Sequence, residues 1–170
     1  MDIKLSELKE IDKKPMFEWI NNQELVEYNS YFKPVKWEDH SKWFDNVRSR
    51  NDVKIFGIRN LDDDTLIGSC QLLNISELAQ SAELQIRIAL FSEMGKGLGS
   101  QAVKLLLQYG FESLKLQRIY LHVFADNIRA YKSYLKNGFK EEGHMRRAAF
   151  VNDKFIDVKV MSILREEHYK

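Results

Sequence analysis

The stretch that decides the fold is "EMGKGLGSQ", residues 93–101, which places Gly95, Gly97 and Gly99 within five positions. The alternating pattern of "SAELQIRIAL" (81–90) predicts a strand before it, and "AVKLLLQYGFESL" (102–114) predicts a helix after it. Inside a helix, glycine costs about 1 kcal/mol relative to alanine, so this clustering needs another reason. At a helix start, unpaired backbone N–H groups and the positive end of the dipole favour an anion. The stretch therefore predicts a phosphate-binding loop.

Three phosphate-binding motifs compete for this loop. A Walker loop needs Gly-Lys-Ser/Thr after a four-residue gap, and the chain has no such match. A dinucleotide fingerprint needs G-x-G-x-x-G, whereas this loop has Ser100 where the last glycine belongs. "MGKGLGSQA" instead resembles the coenzyme A pyrophosphate loop of the GNAT N-acetyltransferase superfamily, whose pattern is Arg/Gln-x-x-Gly-x-Gly/Ala. Gly97 and Gly99 match this pattern, and Met94 replaces the usual Arg or Gln.

A second motif supports the same family. "NIRAYKSYLKNGF" (127–139) resembles the signature N-x-x-A-x-x-x-Y-x-x-x-G-F, with matches at Asn127, Ala130, Tyr134, Gly138 and Phe139. The resemblance implies acetyl-CoA as co-substrate, held by the loop residues Met94, Gly95, Lys96, Gly97, Leu98, Gly99 and Ser100. It also implies that Asn127 contacts the pantetheine arm, although a plain helix N-cap is an equally sound interpretation of this residue.

The element order agrees with this family. The pattern predicts two helices, three strands, a helix, a strand, a helix and two strands, with a parallel pair where strand, helix and strand alternate. The fold class is therefore mixed α/β. The resemblance implies a mostly antiparallel central sheet, flanked by helices, whose parallel strand pair splays apart at the acyl-CoA site. At 170 residues, we expect a single domain over 1–170.

Composition excludes several classes of function. With 26 basic and 25 acidic residues, no general attraction to nucleic acid or to a membrane is indicated. The charged N-terminus predicts no signal peptide, and no apolar run is long enough to span a bilayer, so we expect a cytoplasmic protein. Cys70 has no other cysteine to pair with and no metal-type spacing around it. We therefore expect a buried, inert thiol and no metal site.

The resemblance also assigns the chemistry of acetyl transfer. It places the thioester beside residues 81–90, where backbone amides near Ile86 and Ile88 would hold the pantetheine and polarise the carbonyl. Glu83 is the candidate general base, with His122 and Glu142 as alternatives. Tyr134 is the candidate acid that protonates the departing sulfur. Tyr131, three residues before it, is the alternative acid.

The acceptor is an amine whose identity depends on residues 17–44 and on the last hairpin. "EWINN", "KP" after an aromatic pair and "EDHSKWF" resemble the subgroup that acetylates nucleotide-linked amino sugars. The diphosphate of such a substrate would need cations, for which Lys33, Lys36, Arg146 and Arg147 are candidates. A ribosomal-protein type N-terminal acetyltransferase and a non-catalytic acyl-CoA-binding module are the alternatives. The protein is expected to be a monomer or a homodimer.

Overall fold

The computed structural model describes residues 2–169. Seven strands form one sheet in the order β1-β2-β3-β4-β5-β7-β6. Every neighbouring pair is antiparallel except β4 and β5, which are parallel. This is the predicted mixed, mostly antiparallel sheet. The strands are β1 (Ile3–Ser6), β2 (Lys54–Asn60), β3 (Leu66–Ser76), β4 (Ser81–Ile88), β5 (Arg118–Phe124), β6 (Lys140–Val151) and β7 (Lys154–Leu164).

Six α-helices accompany the sheet within the described residues. They are α1 (Lys13–Ile20), α2 (Gln23–Glu27), α3 (Trp37–Val47), α4 (Leu98–Gln108), α5 (Ile128–Lys136) and α6 (Arg165–His168). A π-turn over Tyr109–Ser113 prolongs α4, and short 3-10 turns cover Glu10–Asp12 and Phe91–Glu93. No helix between residues 2 and 169 is both long and apolar enough to cross a membrane.

Two sequence predictions of local structure were wrong. The predicted first helix is divided into α1 and α2, because Asn22 accepts a hydrogen bond from the Leu25 amide and caps a new helix. Asn21 stabilises the break, since its side chain exchanges hydrogen bonds with the backbone of Val35 at 2.9 and 3.1 Å. The N-terminal segment, for which no strand was predicted, forms β1 against β2.

Each face of the sheet has its own apolar core. On one face, α4 packs against a large cluster that includes Leu84, Ile119 and Met161. On the other face, a smaller cluster joins α1 and α3 to the sheet through Met16 and Phe44. Because strand side chains alternate between faces, β4 presents different residues to the two sides. Leu84, Ile86 and Ile88 belong to the α4 side, as the alternating pattern predicted.

The parallel pair β4–β5 is short. Its register runs only from Ser81 opposite Arg118 to Glu83 opposite Tyr120. Beyond Glu83, β4 continues to Ile88 and remains paired with β3 on its other side. The two parallel strands therefore diverge, and a gap opens in the sheet along the second half of β4.

Gly68 allows β3 and β4 to approach closely beside this gap. A Cβ atom at this position would lie 2.2 Å from the carbonyl oxygen of Arg87 and 3.1 Å from the Cα of Ile88. Both are backbone atoms, so no side-chain rotation relieves the overlap. The path of the outer half of β4 thus depends on the missing side chain of Gly68.

We expect Gly68→Ala to lower the free energy of unfolding by about 1–3 kcal/mol, the usual cost of overpacking, and to reduce the melting temperature accordingly. The matched control is Gly143→Ala, because a Cβ at Gly143 meets nothing within 4 Å. Thermal and urea unfolding of both variants would measure the difference. Equal stability of the two variants would contradict the close approach of β3 and β4.

Candidate active site

Two cavities meet where β4 separates from β5. The smaller, about 320 Å³, lies between the loop 94–100 and α5. The larger, about 770 Å³, lies between the sheet and the segment that contains α1 to α3. Four residues line both cavities: Asn29, Ile86, Arg87 and Tyr134. A molecule in one cavity can therefore contact a molecule in the other beside Ile86.

The loop of the smaller cavity has the conformation that its glycines permit. Gly97 is the N-cap of α4 with φ of 83° and ψ of 0°, the left-handed region that side chains disfavour. A Cβ at Gly95 or Gly97 would meet no atom within 4 Å, so the space above the loop is open. The first amides of α4 have no partner within the helix and carry the positive end of its dipole. This is the geometry of an anion-binding loop.

Most of the predicted coenzyme-binding residues line this cavity. They are Ile86, Ile88, Met94, Gly95, Gly97, Gly99, Ser100 and Asn127. Two predicted residues do not contribute a side chain. Lys96 is exposed and pairs with Glu93 at 3.1 Å, and Leu98 is buried in the core beneath the loop.

Cations on α5 lie beside the same cavity as Met94, the residue that stands where the family pattern has Arg or Gln. Arg129 lies with its Nη2 3.5 Å from the Met94 Sδ, and its guanidinium also stacks over the ring of Tyr28. Lys132 and Lys136 follow on the same helix and line the cavity. Positive charge therefore reaches this cavity from α5 rather than from the loop. The sequence analysis missed these residues, although a basic residue at every third or fourth position of α5 was a usable signal.

The Asn127 side chain connects α5, beside the smaller cavity, to the segment after α2. Its Oδ1 accepts a hydrogen bond from the Ala130 amide, which confirms the predicted N-cap role. Its Nδ2 donates to the backbone carbonyl of Tyr28 at 3.0 Å and to the Asn29 side chain at 3.3 Å. One amide group thus ties α5 to the segment after α2 that borders both cavities.

Glu83 lies in the larger cavity and forms a pair with His122. The Glu83 Oε1 is 3.0 Å from the His122 Nδ1, and the Oε2 accepts a hydrogen bond from the Asn74 side chain at 3.1 Å. Because an ionised carboxylate can only accept, the imidazole donates this hydrogen bond from Nδ1. The two base candidates on neighbouring strands are therefore one hydrogen-bonded unit.

Tyr134 is buried and lines both cavities. Its ring packs edge-on against Phe139, the last residue of the second motif. Burial raises the pKa of the Tyr134 hydroxyl to about 12. The hydroxyl is therefore protonated at every pH at which the protein would work, and it can act as a hydrogen-bond donor.

Two other chemical candidates lie outside both cavities. Glu142 pairs with Arg118 at 2.5 Å and accepts from the Ser162 hydroxyl, and these contacts lower the pKa of the carboxyl to about 2. Tyr131 donates to Glu141 at 2.8 Å. The Glu142 carboxylate and the Tyr131 hydroxyl therefore both make hydrogen bonds within the protein, away from the cavities.

The predicted cations for a nucleotide diphosphate are dispersed. Lys33 lines the larger cavity, whereas Lys36, Arg146 and Arg147 belong to neither cavity's lining. Arg147 instead stacks over the ring of Phe155 and holds Asp157 through its amide. Cys70 is buried, as predicted, and burial raises the pKa of its thiol far above the usual range.

Comparison with known proteins agrees with this geometry. A family model described as an acetyltransferase (GNAT) domain matches residues 2–140. Spermidine N(1)-acetyltransferase of Vibrio cholerae is 41% identical over 103 residues, which are 61% of this chain and 59% of that protein, so this match spans less than two thirds of the relative. N-acetyltransferase p20 of Bacillus licheniformis is 30% identical over 148 residues, 84% of this chain and 83% of its own length.

A solved structure extends the likeness to the whole fold. The crystal structure of spermidine N-acetyltransferase from Vibrio cholerae in complex with CoA and spermine matches with a TM-score of 0.92 and 30% identity. The match covers 99% of this chain and 98% of that one. Together with the glycine loop, the second motif and the diverging parallel strands, these matches show that the chain belongs to the GNAT acetyltransferase family.

Proposed function

We propose that this protein is an acetyl-CoA-dependent N-acetyltransferase that moves an acetyl group to a primary amine of a small molecule. The observation that carries the proposal is the meeting of the two cavities at Ile86. One cavity has an anion-binding loop, the other contains the Glu83–His122 pair, and Tyr134 borders both.

The smaller cavity fits the coenzyme. The open space above Gly95 and Gly97 leaves room for a pyrophosphate against the α4 amides. Arg129, Lys132 and Lys136 offer additional positive charge for phosphate groups. The backbone of β4 beyond Glu83 has no strand partner on its β5 side within the described chain, so its polar groups are available to the pantetheine arm and the thioester carbonyl.

The larger cavity supplies the base. An amine must be neutral to attack the thioester carbonyl, and most primary amines are protonated at neutral pH. Glu83, with its partner His122, would accept the proton that the amine loses, directly or through a water molecule. The carbon–nitrogen bond forms as the carbon–sulfur bond breaks, so the sulfur leaves as a thiolate.

The Tyr134 hydroxyl would donate a hydrogen bond to that thiolate. A coenzyme thiol resembles cysteine, with a pKa near ~8.5. The raised pKa of Tyr134, about 12, makes full proton transfer to a free thiolate unfavourable. The hydroxyl therefore acts best as a hydrogen-bond donor while the sulfur is leaving, and the thiolate takes its proton from solvent afterwards.

Three classes of amine are candidates for the acceptor. Matched proteins of Vibrio cholerae and Escherichia coli are named for spermidine, which makes a polyamine the first candidate. The larger cavity also contains Lys33 and Arg87, which favour an acceptor with an anionic group, such as the nucleotide-linked amino sugar suggested by the sequence. An N-terminal peptide is a third candidate, since the ribosomal-protein-serine acetyltransferase of Escherichia coli is 32% identical over 114 residues.

Release of coenzyme A from acetyl-CoA, measured against spermidine, nucleotide-linked amino sugars and ribosomal-protein N-terminal peptides, tests the activity. Turnover with one amine class would support the enzyme and name the acceptor. If none of these amines reacts although acetyl-CoA raises the melting temperature, the acceptor is an amine outside this panel or the protein is a non-catalytic acyl-CoA-binding module.

Gly97→Ala should weaken acetyl-CoA binding about tenfold, because a left-handed alanine costs roughly 1–2 kcal/mol and displaces the loop. The dissociation constant for coenzyme A, measured by calorimetry, would report the loss. Gly143→Ala, far from the loop in sequence and without steric neighbours, is the control that should bind normally. Normal coenzyme A binding by both variants would contradict the proposal that the glycine loop binds the coenzyme.

Glu83→Gln should lower kcat by about 10²- to 10⁴-fold, because the amide cannot accept the amine proton. Coenzyme A binding should not change. Glu142→Gln is the matched control, since Glu142 is held by Arg118 outside both cavities. Steady-state kinetics with a reacting amine decide the point, and comparable rates for the two variants would exclude Glu83 as the base.

Tyr134→Phe should lower kcat at least tenfold and leave the KM for acetyl-CoA nearly unchanged, since only the departing sulfur loses its donor. Tyr131→Phe removes the same atom from a ring outside both cavities and should retain full kcat. The opposite order of effects would transfer the acid role to Tyr131.

A further inference from the structure

Arg87 is a cation without a partner at the junction of the two cavities. It belongs to the outer half of β4, on the same face as Glu83 and Gln85, and it lines both cavities. Within residues 2–169, its Nε is a buried side-chain nitrogen with no hydrogen-bond partner. No ion pair of the described chain includes this guanidinium.

The contrast with Arg59 shows that this arrangement is unusual. Arg59 is fully buried, whereas Arg87 is half-buried; the Arg59 Nη2 binds both carboxylate oxygens of Asp12 at 2.6 and 2.7 Å while its Nε donates to the Ser6 hydroxyl. Folding therefore provides Arg59 with a carboxylate and leaves Arg87 without one. Burial lowers the pKa of Arg87, yet a guanidinium stays protonated in proteins. A half-buried guanidinium with a buried, unpartnered Nε loses part of its hydration, and a bound anion would compensate for that loss.

The charges around the larger cavity favour an anion as that group. Its lining includes two lysine or arginine side chains, Lys33 and Arg87, and two acidic ones, Asp39 and Glu83. Glu83 is already engaged by His122 and Asn74. The cavity thus has no excess of free carboxylates for a polycation. Ser69 lies directly opposite Arg87 in the β3–β4 register and adds a hydroxyl to the same lining.

We propose that Arg87 binds a carboxylate or phosphate group of the acceptor, so that the substrate is an amine that also has an anionic group. This inference rests on the proposed acetyl transfer to a small amine. Arg87 is four positions after Glu83 along the strand, so about 13 Å separates the origins of the two side chains. The acceptor therefore has several bonds between its amine and its anion, as in a basic amino acid, a phosphorylated amino sugar or a nucleotide-linked amino sugar.

Matched pairs of amines test the proposal, because the members of each pair differ only in the anion. Lysine is compared with cadaverine, and glucosamine 6-phosphate with glucosamine, while spermidine is a polycationic reference. The wild-type protein should prefer the anionic member of at least one pair. Arg87→Met should lower kcat/KM for that member about 10- to 100-fold and leave its neutral or cationic counterpart unchanged.

A binding measurement makes the test independent of turnover. With coenzyme A already at saturation, the anionic member should raise the melting temperature of the wild-type protein and not that of Arg87→Met. Arg50→Met, which removes an exposed cation outside both cavities, is the control and should behave like wild type. Since Arg87 has no partner to lose, Arg87→Met without ligand should melt at or above the wild-type temperature.

Three results would overturn the assignment. Equal use of both members of every pair, or a preference for spermidine that Arg87→Met leaves intact, would show that no acceptor anion is recognised. Weaker coenzyme A binding by Arg87→Met would assign the guanidinium to a coenzyme phosphate. A lower melting temperature of Arg87→Met would indicate a structural role. Absence of turnover with every amine contradicts the proposed function instead, and the melting experiment still decides the role of Arg87.

Discussion

The rest of the structure depends on the point at which backbone pairing between β4 and β5 stops. Three residue pairs hold the parallel strands together, and after Glu83 the strands separate. Every proposed part of the reaction lies around this gap. The hydrogen-bonded pair Glu83–His122, the proposed general base, lies at the closed end of the gap. The glycine loop follows the far end of β4, and α5 follows the end of β5. A fully paired sheet would have no room for a thioester between its strands.

The alternation of side chains along β4 then separates two tasks within one strand. Ile86 and Ile88 contribute to the core under α4 and hold the strand in place. Glu83 and Arg87 face the opposite side, where α1 to α3 enclose the larger cavity. In the proposed reaction, one strand thus supports the core with one face, contributes chemistry with the other and leaves its free edge for the coenzyme. Gly68 supports this division, because it lets β3 approach the outer half of β4.

The sequence predicted the features that depend on local pattern. The alternation in 81–90 follows from the two-residue period of a strand, and the glycine loop before α4 is visible as a cluster of glycines in the sequence. The cap role of Asn127 is equally local. Long-range features were not visible. Nothing in the spacing of Glu83 and His122 indicates that they form one pair, because that contact depends on the parallel register of β4 and β5. That Arg87 lacks an ion-pair partner could not be predicted either, because it depends on every residue near its guanidinium in space.

The clamp formed by Asn127 has a consequence for how such a protein can diverge. Its Nδ2 reaches the backbone carbonyl of Tyr28, an atom that every residue type possesses. Side chains after α2 can therefore be exchanged without breaking the connection to α5. A lineage could replace one acceptor by another through substitutions in this segment, while the coenzyme half of the molecule keeps its position. The hydrogen bond from Asn127 to a backbone carbonyl thus lets the acceptor side of the molecule change in sequence while the coenzyme side stays the same.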